Sequence, residues 1–157
     1  MTDVLHLSAR DNKGGAARAT YRLHCGLRDL GVTSHMLVQR RVTDDETVDG
    51  PGGRLGVIYD TVRRKLDALP VWRYRDRNPG FFSPAWLPEQ RDAGVRRHQP
   101  DIVNLHWIAG GFLHPKTVGQ FESPVVWTLH DMWPFTGGCH YVGSCEKYED
   151  SCGACPH

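Results

Sequence analysis

The beginning of the chain alternates short apolar runs with one stretch of helical periodicity. Val4–Leu7 is an apolar run bounded by polar residues, and it predicts a strand. Ser34–Val38 predicts a second strand. Between them we predict a helix over Ala16–Leu30, capped by Gly31, with apolar residues every three or four positions: Ala16, Ala19, Leu23, Leu27 and Leu30. This order predicts a βαβ unit with a right-handed crossover.

The middle of the chain contains a second helical pattern between two irregular stretches. Arg40–Gly53 is polar and ends in glycine and proline, so it predicts a loop. Val71–Leu87 mixes prolines, arginines and aromatic residues. It suits a nucleic-acid or membrane contact, or aromatics packed on a sheet beside solvated arginines, and we favour the packing. Between them we predict a helix over Arg54–Leu69, stopped by Pro70, with one apolar face: Leu55, Ile58, Val62, Leu66 and Leu69.

The last part of the chain contains two near-continuous apolar runs, Asp101–His106 and Pro124–Leu129. Such runs are typical of buried parallel strands. We predict short helices before and between them, from Pro88 to about His98 and over Pro115–Phe121. The fold class is therefore α/β, with a mostly parallel sheet covered by helices on both faces.

Parallel strands of this kind place their carboxyl ends along one edge of the sheet, where α/β proteins bind ligands. Three segments meet at that edge: Ser8–Gly15, Trp107–Gly111 and the residues from His130 onward. The unusual residues of the chain lie in these segments. We therefore expect the functional site there.

Composition and charge restrict the class of protein. The chain has 157 residues and a formal net charge of +1, which does not favour a nucleic-acid binder. It lacks an apolar run of the roughly 20 residues that a membrane span requires. The N-terminus lacks the features of a signal peptide, so we expect a cytoplasmic protein whose thiols stay reduced. The sequence does not specify an oligomeric state.

Gly14 and Gly15 lie where the first strand turns into the first helix. A helix N-terminus offers free N–H groups and positive potential, and glycine lets a phosphate or sugar approach the backbone. The chain has no G-x-G-x-x-G fingerprint. A plain tight turn is the alternative interpretation.

Two pairs of residues follow predicted strands directly. His130 could exchange a proton with a reacting hydroxyl, and Asp131 could orient its ring or bind a hydroxyl. The alternative is a histidine that caps a strand end. His106 and Trp107 occupy the corresponding position one strand earlier, where an indole beside polar groups suits a sugar. Its alternative is a tryptophan packed on the sheet edge.

Four cysteines near the end of the chain have the spacing C-x5-C-x6-C-x2-C. The closing C-x2-C pair is typical of a zinc knuckle, and we predict a structural zinc site. His140 and His157 could substitute as ligands, and two disulfides or free thiols are the alternatives. Cys25 is expected to be a small buried residue of the first helix. The predicted ligands are Cys139, Cys145, Cys152 and Cys155.

Two long segments of the chain carry a resemblance. The first is VLHLS…GGAARATYRLHCGLRDLGV…SHMLV, and the second is PDIVNLHWIAGGFL…PVVWTLHDMWPFTGGCHYVGSCEKYEDSCGACP. Both segments resemble bacterial GT-B glycosyltransferases of family 4. The second is most similar to a subgroup from colanic-acid and other exopolysaccharide clusters. The resemblance covers nearly the whole chain except about Arg41–Leu87, and it implies a Rossmann-like N-terminal domain.

The resemblance also implies a function. It implies a retaining hexosyltransferase that uses a nucleotide sugar and acts on a saccharide or lipid-linked acceptor in surface-polysaccharide assembly, with peripheral contact at the inner face of the membrane. Gly14 and Gly15 would approach the donor diphosphate, and His130 would line the reaction centre beside Asp131. We also predict that Trp133 contacts donor or acceptor.

The resemblance further bears on the extent of the chain. Such enzymes continue into a second Rossmann-like domain that holds the nucleotide. We therefore expect the chain, which stops at His157, to be an incomplete N-terminal, acceptor-side domain that is inactive alone. A non-enzymatic zinc-binding α/β interaction module is the alternative.

Overall fold

The protein forms a five-stranded, all-parallel sheet in the order β3-β2-β1-β4-β5. This computed structural model describes residues 2–74, 82–88 and 92–152. The predicted α/β, Rossmann-like class is confirmed. The strands are β1 Asp3–Arg10, β2 Thr33–Arg40, β3 Val48–Asp49, β4 Ile102–Leu105 and β5 Val125–Trp127. The helices are α1 Gly15–Asp29, α2 Gly53–Trp72, α3 Asp92–His98 and α4 Pro115–Val118, with 3₁₀ turns at Trp133–Phe135 and Lys147–Glu149.

The central strand β1 is buried along almost its whole length, because it pairs with β2 on one side and β4 on the other. Leu7 lies opposite both Leu37 and Leu105. Helices cover both faces of the sheet. Tyr21 of α1 packs on one face with Met36, Val38 and Val48, whereas the other face carries the larger core around Leu5, Leu7, Val103, Leu105 and Phe112.

Helix α1 buries a different face from the one that its apolar periodicity predicts. Leu23 and Leu30 are 41% and 81% exposed, and the fully buried positions are Ala17, Thr20 and His24. The polar side chains are buried because they have partners. Thr20 donates to the carbonyl of Ala16 at 2.9 Å, and both ring nitrogens of His24 bond hydroxyls, of Ser34 and Thr47, at 2.8 Å.

Helix α2 also differs from its prediction, since its five predicted core residues are 40–77% exposed and its buried positions are Gly56, Asp60 and Asp67. It continues past Pro70 to Trp72. Proline has no N–H to donate to the carbonyl four residues earlier. For Pro70 this is the carbonyl of Leu66. The indole N–H of Trp86 donates to it at 3.1 Å and to the carbonyl of Asp67 at 3.0 Å, so the carbonyl that Pro70 leaves open still has a donor.

Other boundaries differ in detail. The predicted loop over Arg40–Gly53 contains the short strand β3, and β5 is shorter and more exposed than the predicted buried strand. Trp72 and Tyr74 are 55% and 67% exposed, so these two aromatics do not pack on the sheet as predicted. None of the helices that the structure describes is both long and apolar enough to cross a bilayer.

Candidate active site

A cavity of about 430 Å³ opens at the carboxyl edge of the sheet. It lies where β1 turns into α1, where β4 ends, and where the chain leaves β5. The structure therefore brings Gly14, Gly15, Trp107, His130 and Asp131 to one place. Helix α2 and the segment after His130 complete the lining with residues that the sequence analysis did not assign there: Asp60, Arg64, His140 and Tyr141.

The turn into α1 leaves the helix N-terminus open to the cavity. Gly14 has a φ of +104°, a conformation that side-chain-bearing residues rarely adopt. A Cβ at Gly14 or Gly15 would meet no heavy atom of the protein within 4 Å. The first turn of α1 has neither a side-chain cap nor an acidic residue, so its N–H groups and positive potential face the cavity uncompensated.

Three cationic side chains line the cavity together with the residues of this turn. They are Arg10, Lys13 and Arg64, and the buried Asp60 lies beside two of them. Its carboxylate accepts from Arg10 at 2.5 Å and lies 3.9 Å from the Nε of Arg64, while its other oxygen accepts from Gln39 at 3.1 Å. We call Arg10, Lys13, Arg64 and the open helix N-terminus the cationic wall. The only sequence signal for it was an aspartate, Asp60, four residues before Arg64, and the apolar periodicity of the helix predicted a different buried face.

Three histidine rings form a row from the sheet interior to the cavity. The Nδ1 of His6 lies 3.2 Å from the Nε2 of His106, and the Nδ1 of His106 lies 3.1 Å from the Nε2 of His130. Burial lowers the pKa of His6 to about 4 and that of His106 to about 3. Burial also lowers the pKa of His130, although Asp131 opposes the shift. The row is therefore neutral at pH 7.

A neutral imidazole carries one N–H, so the row has a direction. The Nε2 of His6 is buried and has no hydrogen-bond partner among the described residues. A buried donor without a partner is rarer than a buried acceptor without one. We infer that His6 donates to His106 and His106 donates to His130. The remaining proton of His130 is then on Nδ1, where a bound ligand can accept it.

Asp131 anchors the cavity wall beside His130. One carboxylate oxygen accepts from the indole of Trp107 at 2.8 Å and from the Nδ1 of His140 at 2.5 Å, and the other accepts from the backbone N–H of Trp133 at 3.0 Å. The predicted orientation of the His130 ring by Asp131 is therefore corrected: the ring that Asp131 bonds is His140, and His106 holds His130.

His140 is the buried centre of this wall, a role that the sequence analysis missed. Its Nε2 bonds the hydroxyl of Ser83 at 3.0 Å, and its ring stacks on those of Trp107 and Trp133. Both ring nitrogens are engaged, which argues against the predicted alternative role as a zinc ligand. Trp107, His130, Asp131 and His140 together form what we call the histidine wall.

Two predicted contact residues lie behind the surface of the cavity. Trp133 is part of the hydrophobic core and donates its indole N–H to the carbonyl of Ser83 at 2.8 Å. His106 is buried within the histidine row. Because neither residue lines the cavity, both pack against or position other residues and do not face a ligand there.

Gly138 sets the backbone position of the segment that carries His140. Gly138 has a φ of +143°, and a Cβ there would lie 2.5 Å from the ring of Phe82. The carbonyl of Gly138 accepts from the backbone of Ser83 at 2.9 Å, and Cys139 forms an isolated bridge with Phe82. These contacts place the Ser83 hydroxyl against His140.

The clustered cysteines are close together in the sequence, but those that the structure describes do not form a metal site. Cys145 and Cys152 are free thiols, and the Sγ of Cys152 accepts from the backbone of Gly137 at 3.2 Å. Among residues 2–74, 82–88 and 92–152, no group of three His, Cys, Asp or Glu is placed to hold a metal ion. Cys155 and His157 lie outside the described residues, so the zinc site stays a prediction.

Comparison with known proteins decides the family. The model of Glycosyltransferase Family 4 matches residues 13–148, which is most of the chain. The chain belongs to this family. The resemblance seen in the sequence is thereby confirmed, and the cavity at the carboxyl edge lies in a family 4 domain.

One curated relative is similar along nearly the whole of this family 4 chain. It is named as the colanic acid biosynthesis glycosyl transferase WcaC of Escherichia coli (strain K12), and it is 25% identical over 164 residues, or 98% of the chain. The chain spans 39% of the length of that relative. No solved structure shows a significant match.

Proposed function

We propose that this family 4 protein transfers a hexosyl group from a nucleotide sugar to a saccharide or lipid-linked acceptor in surface-polysaccharide assembly, with retention at the anomeric carbon. One observation carries the proposal. A single cavity combines an open helix N-terminus and three cations with the neutral His130. The similarity to WcaC supports the polysaccharide context.

The cationic wall suits the leaving group of this reaction. Transfer breaks the bond between the anomeric carbon and the diphosphate oxygen, and it forms a bond to the acceptor hydroxyl oxygen, whose proton passes to the departing diphosphate. Negative charge then develops on the diphosphate. The helix N-terminus at Gly14 and Gly15, with Arg10, Lys13 and Arg64, would stabilise that charge, because fixed donors aimed at developing charge lower the barrier.

The histidine wall suits the sugar. We assign His130 to donate a hydrogen bond from Nδ1 to a hydroxyl of the reacting sugar, and we assign His106 to hold its ring and tautomer. Trp107 presents an indole to the cavity, fixed by Asp131. Asp131 and His140 are then positioning residues, since their hydrogen-bonding atoms are engaged within the protein.

The structural zinc is proposed separately from the reaction. It would be held by Cys139, Cys145, Cys152 and Cys155, and it would order the segment after the histidine wall without taking part in transfer. The described thiols alone do not form such a site. Metal analysis by mass spectrometry, with thiols counted before and after chelation, tests it: five reactive thiols and no metal would remove this role.

A transfer assay tests the proposed function. The full-length protein would be incubated with a panel of nucleotide sugars and with saccharide and lipid-linked acceptors, followed by release of the nucleoside diphosphate and by NMR of the product anomer. We expect acceptor-dependent release and a retained anomer, in a cytoplasmic enzyme, and we expect the 157-residue chain alone to be inactive. An inverted anomer would contradict retention, and no release with any pair would contradict the transferase proposal.

A further inference from the structure

Asp11 is a buried carboxylate that the proposed reaction does not use. It follows β1 directly, in the turn that leads to the helix N-terminus at Gly14. Its exposed fraction is 0%, although it lies between two residues that line the cavity, Arg10 and Lys13. Asp11 itself does not line the cavity. Its carboxylate is therefore turned into the protein, where it does not repel an anion bound at the cationic wall.

The partners of Asp11 lie in the loop that follows β2. Arg10 and Arg40 pair at the ends of β1 and β2, so the chain leaves both strands side by side. One carboxylate oxygen accepts from the backbone N–H of Val42 at 2.7 Å. The other accepts from the backbone N–H of Thr43 at 2.7 Å and from its hydroxyl at 2.6 Å. These short hydrogen bonds offset the cost of burying the carboxylate, and they join the two loops.

The loop after β2 is also bonded to helix α1. The carboxylate of Asp45 accepts from the hydroxyl of Tyr21 at 3.0 Å and from the guanidinium of Arg28 at 3.3 Å. Both donors belong to α1. One loop therefore bonds the body of α1 through Asp45 and the turn before α1 through Asp11. The two contacts together set where the helix N-terminus lies relative to the cavity.

The turn itself has few other constraints. Asn12–Gly15 is exposed, and a Cβ at Gly14 or Gly15 would meet no heavy atom within 4 Å. The helix N-terminus has no side-chain cap. A turn of this kind that is not fixed beforehand must be ordered by the ligand, and the lost conformational entropy reduces affinity. The bonds of Asp11 order the turn before a ligand arrives.

We propose that Asp11 is a positioning residue for the donor diphosphate, because it fixes the turn that places Arg10, Lys13 and the helix N-terminus at the cavity. The inference rests on the proposed function, which assigns the diphosphate to the cationic wall. Asp11 acts through the turn and does not touch the ligand. Its effect should therefore appear in binding of the donor and not in binding of the acceptor.

Binding of inorganic pyrophosphate to the full-length protein tests this role, measured by isothermal titration calorimetry at low salt. Asp11→Asn should weaken binding about tenfold, because an amide cannot accept all three hydrogen bonds and the ligand must then order the turn. Thr43→Val removes only the hydroxyl that donates to Asp11. It should weaken binding about threefold, since one hydrogen bond of the three is lost.

Asp67→Asn is the matched control. It makes the same change at another buried aspartate, which lies on α2 and does not line this cavity. Pyrophosphate binding should be unchanged in this variant. Hydrogen exchange of the unliganded proteins locates the effect, since the amides of Asn12–Gly15 should exchange faster in Asp11→Asn and not in Asp67→Asn.

Transfer kinetics separate positioning from a general loss of stability. Asp11→Asn should raise the KM for the nucleotide sugar about tenfold and leave the KM for the acceptor unchanged. A merely structural role would reduce the amount of folded enzyme. Apparent kcat would then fall while both KM values stayed the same.

Equal pyrophosphate binding by the wild type and Asp11→Asn would overturn the role, as would equal losses in Asp11→Asn and Asp67→Asn. If Asp11→Asn does not fold, Thr43→Val decides, and unchanged binding by that variant would overturn the role. A wild-type protein that does not bind pyrophosphate would contradict the cationic wall, and with it the proposed function. The two failures are distinguishable, because only the second is seen in the wild type.

Discussion

The cationic wall and the histidine wall of the cavity differ in charge. On the cationic wall, Arg10 and Arg64 lie beside the carboxylate of Asp60, and an open helix N-terminus adds positive potential. In the row of His6, His106 and His130, which reaches the histidine wall at His130, burial keeps the rings neutral. The comparison shows how one site can supply both diffuse positive potential and a directed hydrogen bond. The first suits a diphosphate, and the second suits one hydroxyl.

The largest expected effect comes from charging the buried rings with acid. Burial lowers the pKa of His6 and His24 to about 4 and that of His106 to about 3, from an unfolded value of 6.5. The unfolded chain therefore binds protons below pH 6.5 that the folded chain does not. Stability is fully present above that pH and falls by on the order of 1.4 kcal/mol per ring for each pH unit.

Urea denaturation between about pH 7.5 and 5 measures this loss. Three rings together should cost about 4 kcal/mol per pH unit, which would unfold a domain of ordinary stability before the pH reaches about 4. The variant His24→Gln should remove about a third of the slope. A free energy of unfolding that does not change over this range would contradict the neutral histidine row.

The next effect concerns the anchor of the histidine wall. Asp131→Asn should reduce the free energy of unfolding by about 3 kcal/mol, because a largely buried carboxylate that accepts three hydrogen bonds is replaced by an amide that cannot accept them all. Asp150→Asn, at an exposed position, is the matched control and should change little. Equal midpoints for both variants would argue against Asp131 as the anchor.

A smaller effect is expected at the turn of the cationic wall. Gly14→Ala should cost about 2 kcal/mol of stability, because alanine is strained at a φ of +104°. Gly15→Ala should be neutral or slightly stabilising, since it has space and an ordinary φ within the helix. Thermal unfolding of the two single variants compares them directly. If Gly15→Ala were the more damaging, the described turn would be wrong.

The smallest effect concerns a single cation. Lys13→Gln should raise the KM for the nucleotide sugar about fivefold at low salt and less at high salt, since an exposed lysine contributes about 1 kcal/mol and is screened. Lys116→Gln, away from the cavity, should leave KM unchanged. A salt-independent change would point to a role other than charge.

The parts of the fold that depend on neighbouring residues in the sequence were predictable. The βαβ unit, the glycine turn and the residues after β4 and β5 follow from short apolar runs and from glycine, and they place His130 and Gly14 at one edge. The buried faces of α1 and α2 were not predictable from apolar spacing. His24 can be buried because the hydroxyls of Ser34 and Thr47 bond its ring. Asp60 can be buried because Arg10 and Gln39, which are distant in sequence, donate to its carboxylate.

The histidine wall shows the same limit within the site. His130 was found because it follows a strand directly. His140 was interpreted through its neighbouring cysteines, because nothing in the sequence reveals that Ser83, 57 residues earlier, supplies its second hydrogen bond. Periodicity identifies apolar residues, whereas the place of a polar residue depends on a partner that only the folded chain brings near.

Turnover of the full-length protein with His130 replaced tests whether this cavity is the reaction centre. We predict that His130→Ala lowers kcat by about a hundredfold, as loss of one directed donor does, and that His130→Asn restores part of it because asparagine is also a neutral donor. Both variants should bind the nucleotide sugar almost as the wild type does, since the cationic wall is intact. Unchanged kcat in His130→Ala would contradict the assignment of this cavity as the reaction centre.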